Sequence, residues 1–264
     1  MNLTIIGNEI KNSFKTMLIW ALSAGLTGLL VIVVFESLKG DMDKISEQMA
    51  QMGKFAEAVG MDKLSIGSIA GYYATEVGTI HALASSMFAA ILSITMLSKE
   101  EDGHTTDFLF AFPVSRITVV FSKLAAALAD IIIFNLICSG IYLAGVRYTG
   151  EELPMKEFFI YHGLSLFMNI IIVFICFAVS AFLKSNKAGI GIGLALAFYA
   201  VDMTARITPD AEKLMYLTPM SFCNAADIFS NEPVRSSFLI TGGAVALTAL
   251  ITAVCVYKRR DLAA

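Results

Sequence analysis

The chain has 264 residues, of which 57% are hydrophobic and only 16% are charged, and its net charge is −3 at pH 7. Its mean hydropathy is +0.73, whereas about a quarter of the residues in a typical soluble domain are charged. This composition excludes a soluble enzyme that folds around a single core in water. It predicts an all-α, polytopic membrane protein.

The first sixteen residues predict an amphipathic helix that lies in the membrane interface. Leu3, Ile6, Ile10 and Phe14 recur at spacings of three and four, and polar side chains such as Glu9 fill the other side. A helix of this kind binds at the boundary between the headgroups and the acyl chains. We expect this segment to anchor the chain there, or to move with a partner on the cytoplasmic face.

Six apolar windows follow, and each is long enough to cross a bilayer. A helix rises about 1.5 Å per residue, so about 20 residues span a hydrocarbon core of roughly 30 Å. Asp130 and Asp202 are the only Asp, Glu, Lys or Arg residues inside these windows. We predict one transmembrane domain over 1–264, with spans at 17–35, 77–97, 124–146, 158–183, 188–205 and 237–257.

The distribution of basic residues predicts the orientation. Lys and Arg are denser in the segments that lie inside the cell when both termini are cytoplasmic. Basic residues favour the cytoplasmic side of a membrane protein, whereas acidic residues contribute little to its orientation. We therefore expect both termini to be cytoplasmic, with the first span retained in the membrane.

Two of the outer loops carry patterns of their own. The loop 36–76 repeats the amphipathic spacing and predicts a second surface helix that ends at Gly60, because glycine suits the left-handed position after a helix. The loop 206–236 is apolar for an aqueous segment. It predicts a short re-entrant or interfacial helix before the sixth span.

Residue patterns for covalent chemistry are missing from the sequence. There is no phosphate-binding loop, no His-Glu-x-x-His zinc pattern and no intramembrane-protease pattern. The cysteines lack a Cys-x-x-Cys spacing, and the three histidines are scattered along the chain. The glycines between 189 and 193 lie within a span and predict close helix contact. We predict no catalytic residues, no metal site and no enzymatic activity of the chain itself.

The loop between the second and third spans is unusual for a simple connector. Thr105 can cap a short helix, Asp107 favours its first turn, and Pro113 limits its length. One side of this helix carries bulky apolar residues, namely Phe108, Leu109 and Phe112. Either these residues fold back on the bundle or dip into the headgroups, or they dock on another polypeptide, since exposed apolar patches often mark interfaces.

The same loop resembles the signature of ABC-2 type permeases, the membrane subunits of ATP-binding-cassette exporters. The similar residues are Glu100-Glu101, Thr105-x-Asp107-Phe108-Leu109, Pro113-Val114-Ser115-Arg116 and Lys123. Two positions depart from the family's pattern, because His104 replaces the usual glycine and Asp107 replaces the commoner glutamate. Further similarity lies in the amphipathic start, in Leu217-Thr218-Pro219 and in the ending Lys258-Arg259-Arg260-Asp261-Leu262.

This resemblance implies a function and a set of partners. The loop would carry a short cytoplasmic coupling helix that sits on a separate ATPase subunit, which would bind ATP and Mg, while this chain would bind no cofactor. The implied partners are that ATPase, a second permease copy or paralogue, and the lipid bilayer of the bacterial cytoplasmic membrane, but no nucleic acid. The coupling residues would be Glu100, Glu101, Thr105, Asp107, Phe108, Leu109, Phe112, Pro113 and Arg116.

Polar residues within the spans have two interpretations. Asp130, Asn135 and Asn169 form a tentative polar seam that would line the substrate path or the contact between two permease halves. Alternatively, Asp130 is hydrated near the inner interface, since it lies only about 10 Å beyond Lys123 along the helix. Asp202 and Arg206 are four residues apart and predict a local ion pair.

Two other functions remain open from the sequence. An ion-coupled secondary transporter would need coupling residues near the middle of the membrane, where the charged residues are sparse. A non-transporting membrane scaffold or sensor fits the composition, but it leaves the apolar coupling loop unexplained.

Overall fold

The computed structural model describes residues 1–41, 44, 53–54, 56, 60–61, 63–111 and 113–260. The described part contains no strand, and six of its helices are long and apolar enough to cross a membrane, which confirms the predicted all-α polytopic class. These helices are α1 (Leu3–Leu38), α2 (Ile69–Ile94), α5 (Arg116–Thr149), α6 (Met155–Ser180), α7 (Ala188–Ile207) and α9 (Ser236–Arg259). Shorter helices in the connections are α3 (Lys99–Asp102), α4 (Thr106–Phe110) and α8 (Ala225–Phe229).

The predicted interfacial segment and the predicted first span are one continuous helix, α1. Asn2 begins it, because its side-chain oxygen accepts hydrogen bonds from the backbone N–H groups of Thr4 and Ile5. The 36 residues extend about 54 Å, more than the roughly 30 Å of a hydrocarbon core. Phe14 on the apolar face is exposed, whereas Glu9 on the polar face is buried. Glu9 therefore faces the protein although other polar residues of its face are exposed, and Phe14 is left for lipid.

Close packing of α1 against α5 forms one side of the bundle. A Cβ on Gly28 would collide with the ring of Tyr142, and a Cβ on Gly145 would lie 2.6 Å from Leu29 Cδ1. Small residues let helix backbones approach each other within a membrane. The glycine run in α7 works in the same way at one position, because a Cβ on Gly191 would lie 2.8 Å from a carbonyl oxygen of α2.

A wide turn interrupts α2. The helix starts as a regular turn at Ile69–Tyr72, continues as a π-helical turn at Tyr73–Val77, and returns to α geometry at Gly78–Ile94. Ser68 caps its start, since its hydroxyl oxygen accepts from the Gly71 N–H at 3.1 Å. Such π turns are rare and frequently occur at functional sites.

The outer loops differ partly from their predictions. Where the sequence predicted one short helix between the fifth and sixth spans, the chain forms a 3₁₀ helix at Pro209–Leu217 and then α8, with Phe222 buried between them. An apolar segment of this kind needs cover, and packing on the helix ends provides it. The surface helix predicted in the loop 36–76 falls mostly outside the described residues. Gly60 is described, and its φ of 81° is the left-handed conformation predicted there.

Both described chain ends lie at the end of the bundle that carries α3 and α4, which we call the inner end. Near the N-terminus, Glu9 forms an ion pair with Lys99, and near the C-terminus Arg260 forms an ion pair with Glu101. The opposite end, with α8 and the 3₁₀ helix, is the outer end. The predicted arrangement, with both termini on one side, is therefore found.

Candidate functional site

The loop between α2 and α5 holds two short helices, α3 and α4. Helix α4 starts after Thr105 and carries Asp107 in its first turn, as the sequence predicted. The Thr105 side chain makes no capping hydrogen bond to α4, and its hydroxyl instead donates to the Glu100 carbonyl oxygen at 3.5 Å. Ser115 caps α5, because its hydroxyl oxygen accepts from the Thr118 N–H at 3.1 Å. The chain thus starts the third span immediately after the loop.

The apolar residues of α4 point in two directions. Phe108 is 72% exposed, whereas Leu109 and Phe110 are partly buried and pack against the core. The Arg116 guanidinium lies 6.0 Å from the centroid of the Phe110 ring, a distance at which a cation is attracted to an aromatic face. Phe112, the third member of the predicted patch, lies outside the described residues. Of the predicted patch, Phe108 is therefore presented to the surroundings and Leu109 fixes α4 to the bundle.

His104 joins α3 to α4 with a φ of 51°. Glycine adopts this left-handed region freely because it has no Cβ, whereas other residues pay a steric cost. His104 is also where the sequence departs from the glycine usual in the family it resembles. The turn therefore keeps a glycine-like backbone although its residue is a histidine.

Four charged residues hold the loop to α1 and α5, and we call them the inner network. Lys123 is fully buried; its ammonium group lies 2.9 Å from Glu9 Oε1, donates to the Met96 carbonyl oxygen at 2.8 Å and also pairs with Glu100. Lys99 pairs with the second oxygen of Glu9. A buried lysine is tolerated only when it is paired and hydrogen-bonded. The inner network is Glu9, Lys99, Glu100 and Lys123.

A second set of contacts fixes the loop to the C-terminal end of α9. Glu101 pairs with Arg260, whose guanidinium also donates to the Ala181 carbonyl oxygen at 2.7 Å. The Arg116 guanidinium donates to the backbone carbonyl oxygens of Tyr257 and Arg260. Both members of the predicted acidic pair, Glu100 and Glu101, therefore point inward. In this chain they position the loop rather than extend from its surface.

A groove of about 1050 Å³ opens beside the loop at the inner end. One wall is the polar face of α1, and the other is formed by the last turns of α2, by α4 and by the start of α7. Glu9, Lys99 and Glu100 of the inner network line it. This groove could not be predicted from local patterns, because its walls come from segments that are distant in the chain, from Asn2 to Ala188.

The predicted polar seam is not one continuous feature. Asp130 has no exposed surface, against the hydrated position considered for it, and one of its oxygens accepts from the Ser13 hydroxyl at 2.5 Å. Asn135 contacts a histidine, and the buried amide of Asn169 has no hydrogen-bond partner among the described residues. Within this part of the chain, the three side chains make no hydrogen bond to one another.

The interior of the bundle brings together two histidines that seemed unrelated in the sequence. The ring centroids of His81 and His162 are 4.8 Å apart. His81 Nε2 lies 3.2 Å from Asn135 Oδ1, and His162 Nε2 lies 2.8 Å from the Tyr73 hydroxyl, which belongs to the π turn of α2. Tyr142 joins the two by ring contacts with both. The one signal for this cluster in the sequence is that both histidines lie within predicted spans, at 77–97 and 158–183.

Charged residues at the outer end form a second network. Arg206 donates to Asp202 and to Asp227, each at 2.9 Å, which confirms the predicted Asp202–Arg206 pair and extends it. Lys63 lies 2.6 Å from Asp227 and 3.0 Å from Glu232. Burial opposes ionisation of Asp227, but Arg206 and Lys63 outweigh it and lower the pKa of that carboxyl. We call these five residues the outer network.

Lys63 responds to the same contacts in the opposite sense. Burial disfavours its charged form, but the hydrogen bonds to Asp227 and Glu232 outweigh that cost and raise the pKa of the Lys63 amine. Because Lys63 belongs to the first outer loop and Asp227 to α8, the outer network ties two loops to the end of α7. Among the described residues, no group of three or more His, Cys, Asp or Glu side chains is arranged to hold a metal ion.

Comparison with known proteins adds a single finding that covers nearly the whole chain. No curated protein matches it. The profile of the family described as "ABC-2 family transporter protein" matches residues 3–262, a range that includes all six long helices, the loop between α2 and α5 and the residues of both networks. The chain therefore belongs to the ABC-2 family of membrane transporter proteins.

Proposed function

We propose that this chain is the permease subunit of an ATP-driven exporter. A separate ATPase subunit binds ATP and Mg and transmits its conformational cycle to the bundle through α4. Two permease copies, or one copy and a paralogue, stand together in the bacterial cytoplasmic membrane with their inner ends in the cytoplasm. The ATPase of such a system works as a dimer, and symmetric assemblies pair one membrane half with each ATPase copy.

The observation that carries the proposal is the exposure of Phe108 on a loop that is otherwise held firmly. Phe108 is 72% exposed. The preceding part of the loop, helix α3, is fixed to α1, α5 and α9 through Lys99, Glu100 and Glu101. A large apolar side chain on a rigid support suits a pocket on another protein. A force applied to Phe108 would pass directly into three of the long helices.

Replacement of Phe108 by Asp tests this contact. Because an aspartate would place a charge in an apolar pocket, we expect Phe108→Asp to abolish co-purification of the ATPase encoded with this chain. Membrane insertion, measured as the amount of chain in the membrane fraction, should stay the same. Normal complex formation by the variant would count against the docking role of α4.

A matched control is available at the outer end. Leu217 is 65% exposed in the outer loop, at the end of the 3₁₀ helix, so Leu217→Asp makes the same apolar-to-acidic change at a similarly exposed position outside the spans. We expect this variant to co-purify with the ATPase as the wild type does. Loss of the complex in both variants would indicate a general defect of the membrane domain.

The interior histidines favour one alternative, an ion-coupled secondary transporter. His81 and His162 lie together in the bundle, where a coupling group of such a transporter would lie. Transport by reconstituted chain and ATPase separates the two functions. Dependence on ATP, with no response to a protonophore, favours the exporter; transport by the chain alone, abolished by a protonophore, favours the secondary transporter.

A further inference from the structure

The groove at the inner end has one wall of an uncommon chemical kind. Thr4, Asn8, Asn12 and Thr16 follow one another at intervals of four residues along α1, and all four are exposed and line the groove. Residues four apart lie above one another on a helix face. They form a row of uncharged hydrogen-bonding groups that winds slowly around the helix, by about 40° at each step. In the described part of the chain, none of these four side chains has a hydrogen-bond partner.

The facing wall is mostly apolar. It is made by the last turns of α2 and by α4, and its apolar members include Phe88, Ile91, Leu92 and Leu109. A groove with a polar wall and a mostly apolar wall fits a molecule that has a polar part and an apolar part. Its volume of about 1050 Å³ is just above the range for small-molecule sites, which is about 300–1,000 Å³.

The charges beside the groove compensate one another. Glu9 pairs with Lys99 and Lys123, and Glu100 pairs with Lys123, so the inner network has two acids and two bases. The inner network itself therefore contributes no net charge to the lining of the groove. The row on α1 offers only amides and hydroxyls, which bind uncharged or zwitterionic polar groups.

The groove lies at the level of the inner membrane interface. Its polar row, from Thr4 to Thr16, ends where the predicted first span begins at residue 17, and that span alone is long enough to cross the hydrocarbon core. On the same helix Leu3 and Phe14 are exposed apolar residues, as expected of a segment in contact with lipid. The groove therefore opens at the level of the lipid headgroups and the adjoining part of the acyl chains.

We propose that the groove between α1 and the α2–α4 wall binds a lipid-like amphiphile whose polar part is uncharged or zwitterionic. The row Thr4, Asn8, Asn12 and Thr16 holds the polar part, and the α2 wall holds the apolar chain. The identification of this amphiphile as the class of transported substrate rests on the proposed function. Binding itself requires no ATPase.

Trp20 provides a reporter for this site. It is the one tryptophan of the chain, it continues the four-residue spacing of the row beyond Thr16, and its ring centroid lies 6.4 Å from that of Phe88. Bromine quenches tryptophan fluorescence at short range. A brominated acyl chain that enters the groove should therefore quench Trp20.

The experiment titrates the purified full chain in amphipol with brominated lysophosphatidylcholine, which is zwitterionic, and with brominated lysophosphatidylglycerol, which is anionic. We expect saturable quenching by the zwitterionic probe and weaker, non-saturating quenching by the anionic one. The double variant Asn8→Leu/Asn12→Leu should bind the zwitterionic probe about tenfold more weakly, because it loses two uncharged hydrogen-bonding groups. Thr16→Val, which keeps the shape of the side chain, should weaken binding by a smaller factor.

The control is Ser23→Leu, a polar-to-apolar change at an exposed position of the same helix that does not line the groove. It should bind as the wild type does. Equal, non-saturating quenching by both probes, or unchanged affinity in the Asn8/Asn12 variant, would overturn the proposal. So would an efficient disulfide between two Asn12→Cys copies in a Cys255→Ser background, since a second copy of the chain would then fill the groove.

Co-purification of the ATPase with the same variants separates this inference from the proposed function. Loss of probe binding with an intact complex refutes the amphiphile site only. Saturable probe binding in a chain that never binds an ATPase refutes the exporter assignment and leaves the site in place.

Discussion

The inner and outer ends of the bundle are both held by buried ion pairs, but they enclose very different spaces. At the inner end the network borders a groove of about 1050 Å³. At the outer end the cavity beside Asp202 has only about 40 Å³, room for about one water molecule. The inner network thus stands at an open edge, whereas the outer network closes its end.

The two networks also connect different kinds of element. The inner network joins two long helices, α1 and α5, to the loop that holds α4. The outer network joins α7 to loop segments, through Lys63 and Asp227. A substitution in the inner network therefore alters contacts of the long helices themselves. A substitution in the outer network alters how the loops cover the bundle.

The largest effect is expected from removal of the lysine at the centre of the inner network. Lys123→Met would leave Glu9 and Glu100 buried with less compensation, and breaking a buried pair in this way costs about 3–5 kcal/mol. Thermal unfolding of the purified chain should show a correspondingly lower midpoint. Adding Glu9→Gln and Glu100→Gln to the variant should recover part of the loss.

An exposed lysine provides the comparison for that variant. Lys184 is exposed at the inner end, and Lys184→Met should change the unfolding midpoint little. If Lys123→Met is as stable as Lys184→Met, the inner network does not hold the loop in the way described.

A smaller loss is expected from the corresponding change at the outer end. Arg206→Met removes hydrogen bonds to Asp202 and Asp227, but Asp227 keeps its contact with Lys63. We expect a destabilisation of about 3 kcal/mol, the lower end of the cost of breaking a buried pair, because Asp202 loses its charge partner while Asp227 keeps one. The same thermal assay measures it. A loss larger than that of Lys123→Met would reverse the ranking of the two ends.

The contribution of Asp227 should depend on pH. Its lowered pKa means that its stabilisation is complete above the unfolded-state pKa of about 3.9 and is lost as the pH falls through the lower folded-state pKa. Asp227→Asn should therefore cost about 1–2 kcal/mol at neutral pH and progressively less in acid. Unfolding midpoints of both chains between neutral pH and about pH 3 test this. A difference that stays constant across the range would exclude an ionised Asp227.

The smallest effect is a gain in stability at the inner loop. His104 has a φ of 51°, so His104→Gly relieves the steric cost of the left-handed conformation. Part of that gain is offset because glycine also has more freedom in the unfolded chain. We expect a net stabilisation of about 0.5 kcal/mol, seen as a small rise of the unfolding midpoint. A fall would mean that the imidazole makes a contact that outweighs the backbone.

The sequence predicted the features that depend on local pattern. Hydropathy located the six long helices, and the spacing of Asp202 and Arg206 predicted their ion pair. The start of α4 after Thr105 followed from turn chemistry. These predictions succeeded because a membrane span and a helix start depend mainly on residues adjacent in the chain.

The features that depend on distant partners could not be predicted in this way. The first sixteen residues were predicted to lie in the membrane interface, but Glu9 faces the protein because Lys123, more than a hundred residues later, is buried beside it. The contact between His81 and His162 likewise depends on how α2 and α6 pack. Periodicity identifies the face of a helix, and it does not identify what that face meets.

The π turn of α2 has a consequence for the register of the whole helix. Eight residues separate Tyr73 from His81, and in a regular α-helix they would differ in direction by about 80°. A π turn accommodates about one extra residue, so both side chains point the same way and both contact the ring of Tyr142. Without the extra residue the two side chains would be seven positions apart, and seven residues of a regular helix turn through about 700°, close to two full turns. Deleting one residue at 74–77 should therefore remove the π turn and keep both rings in contact with Tyr142, so the wide turn absorbs an insertion without changing what the helix presents to its neighbours.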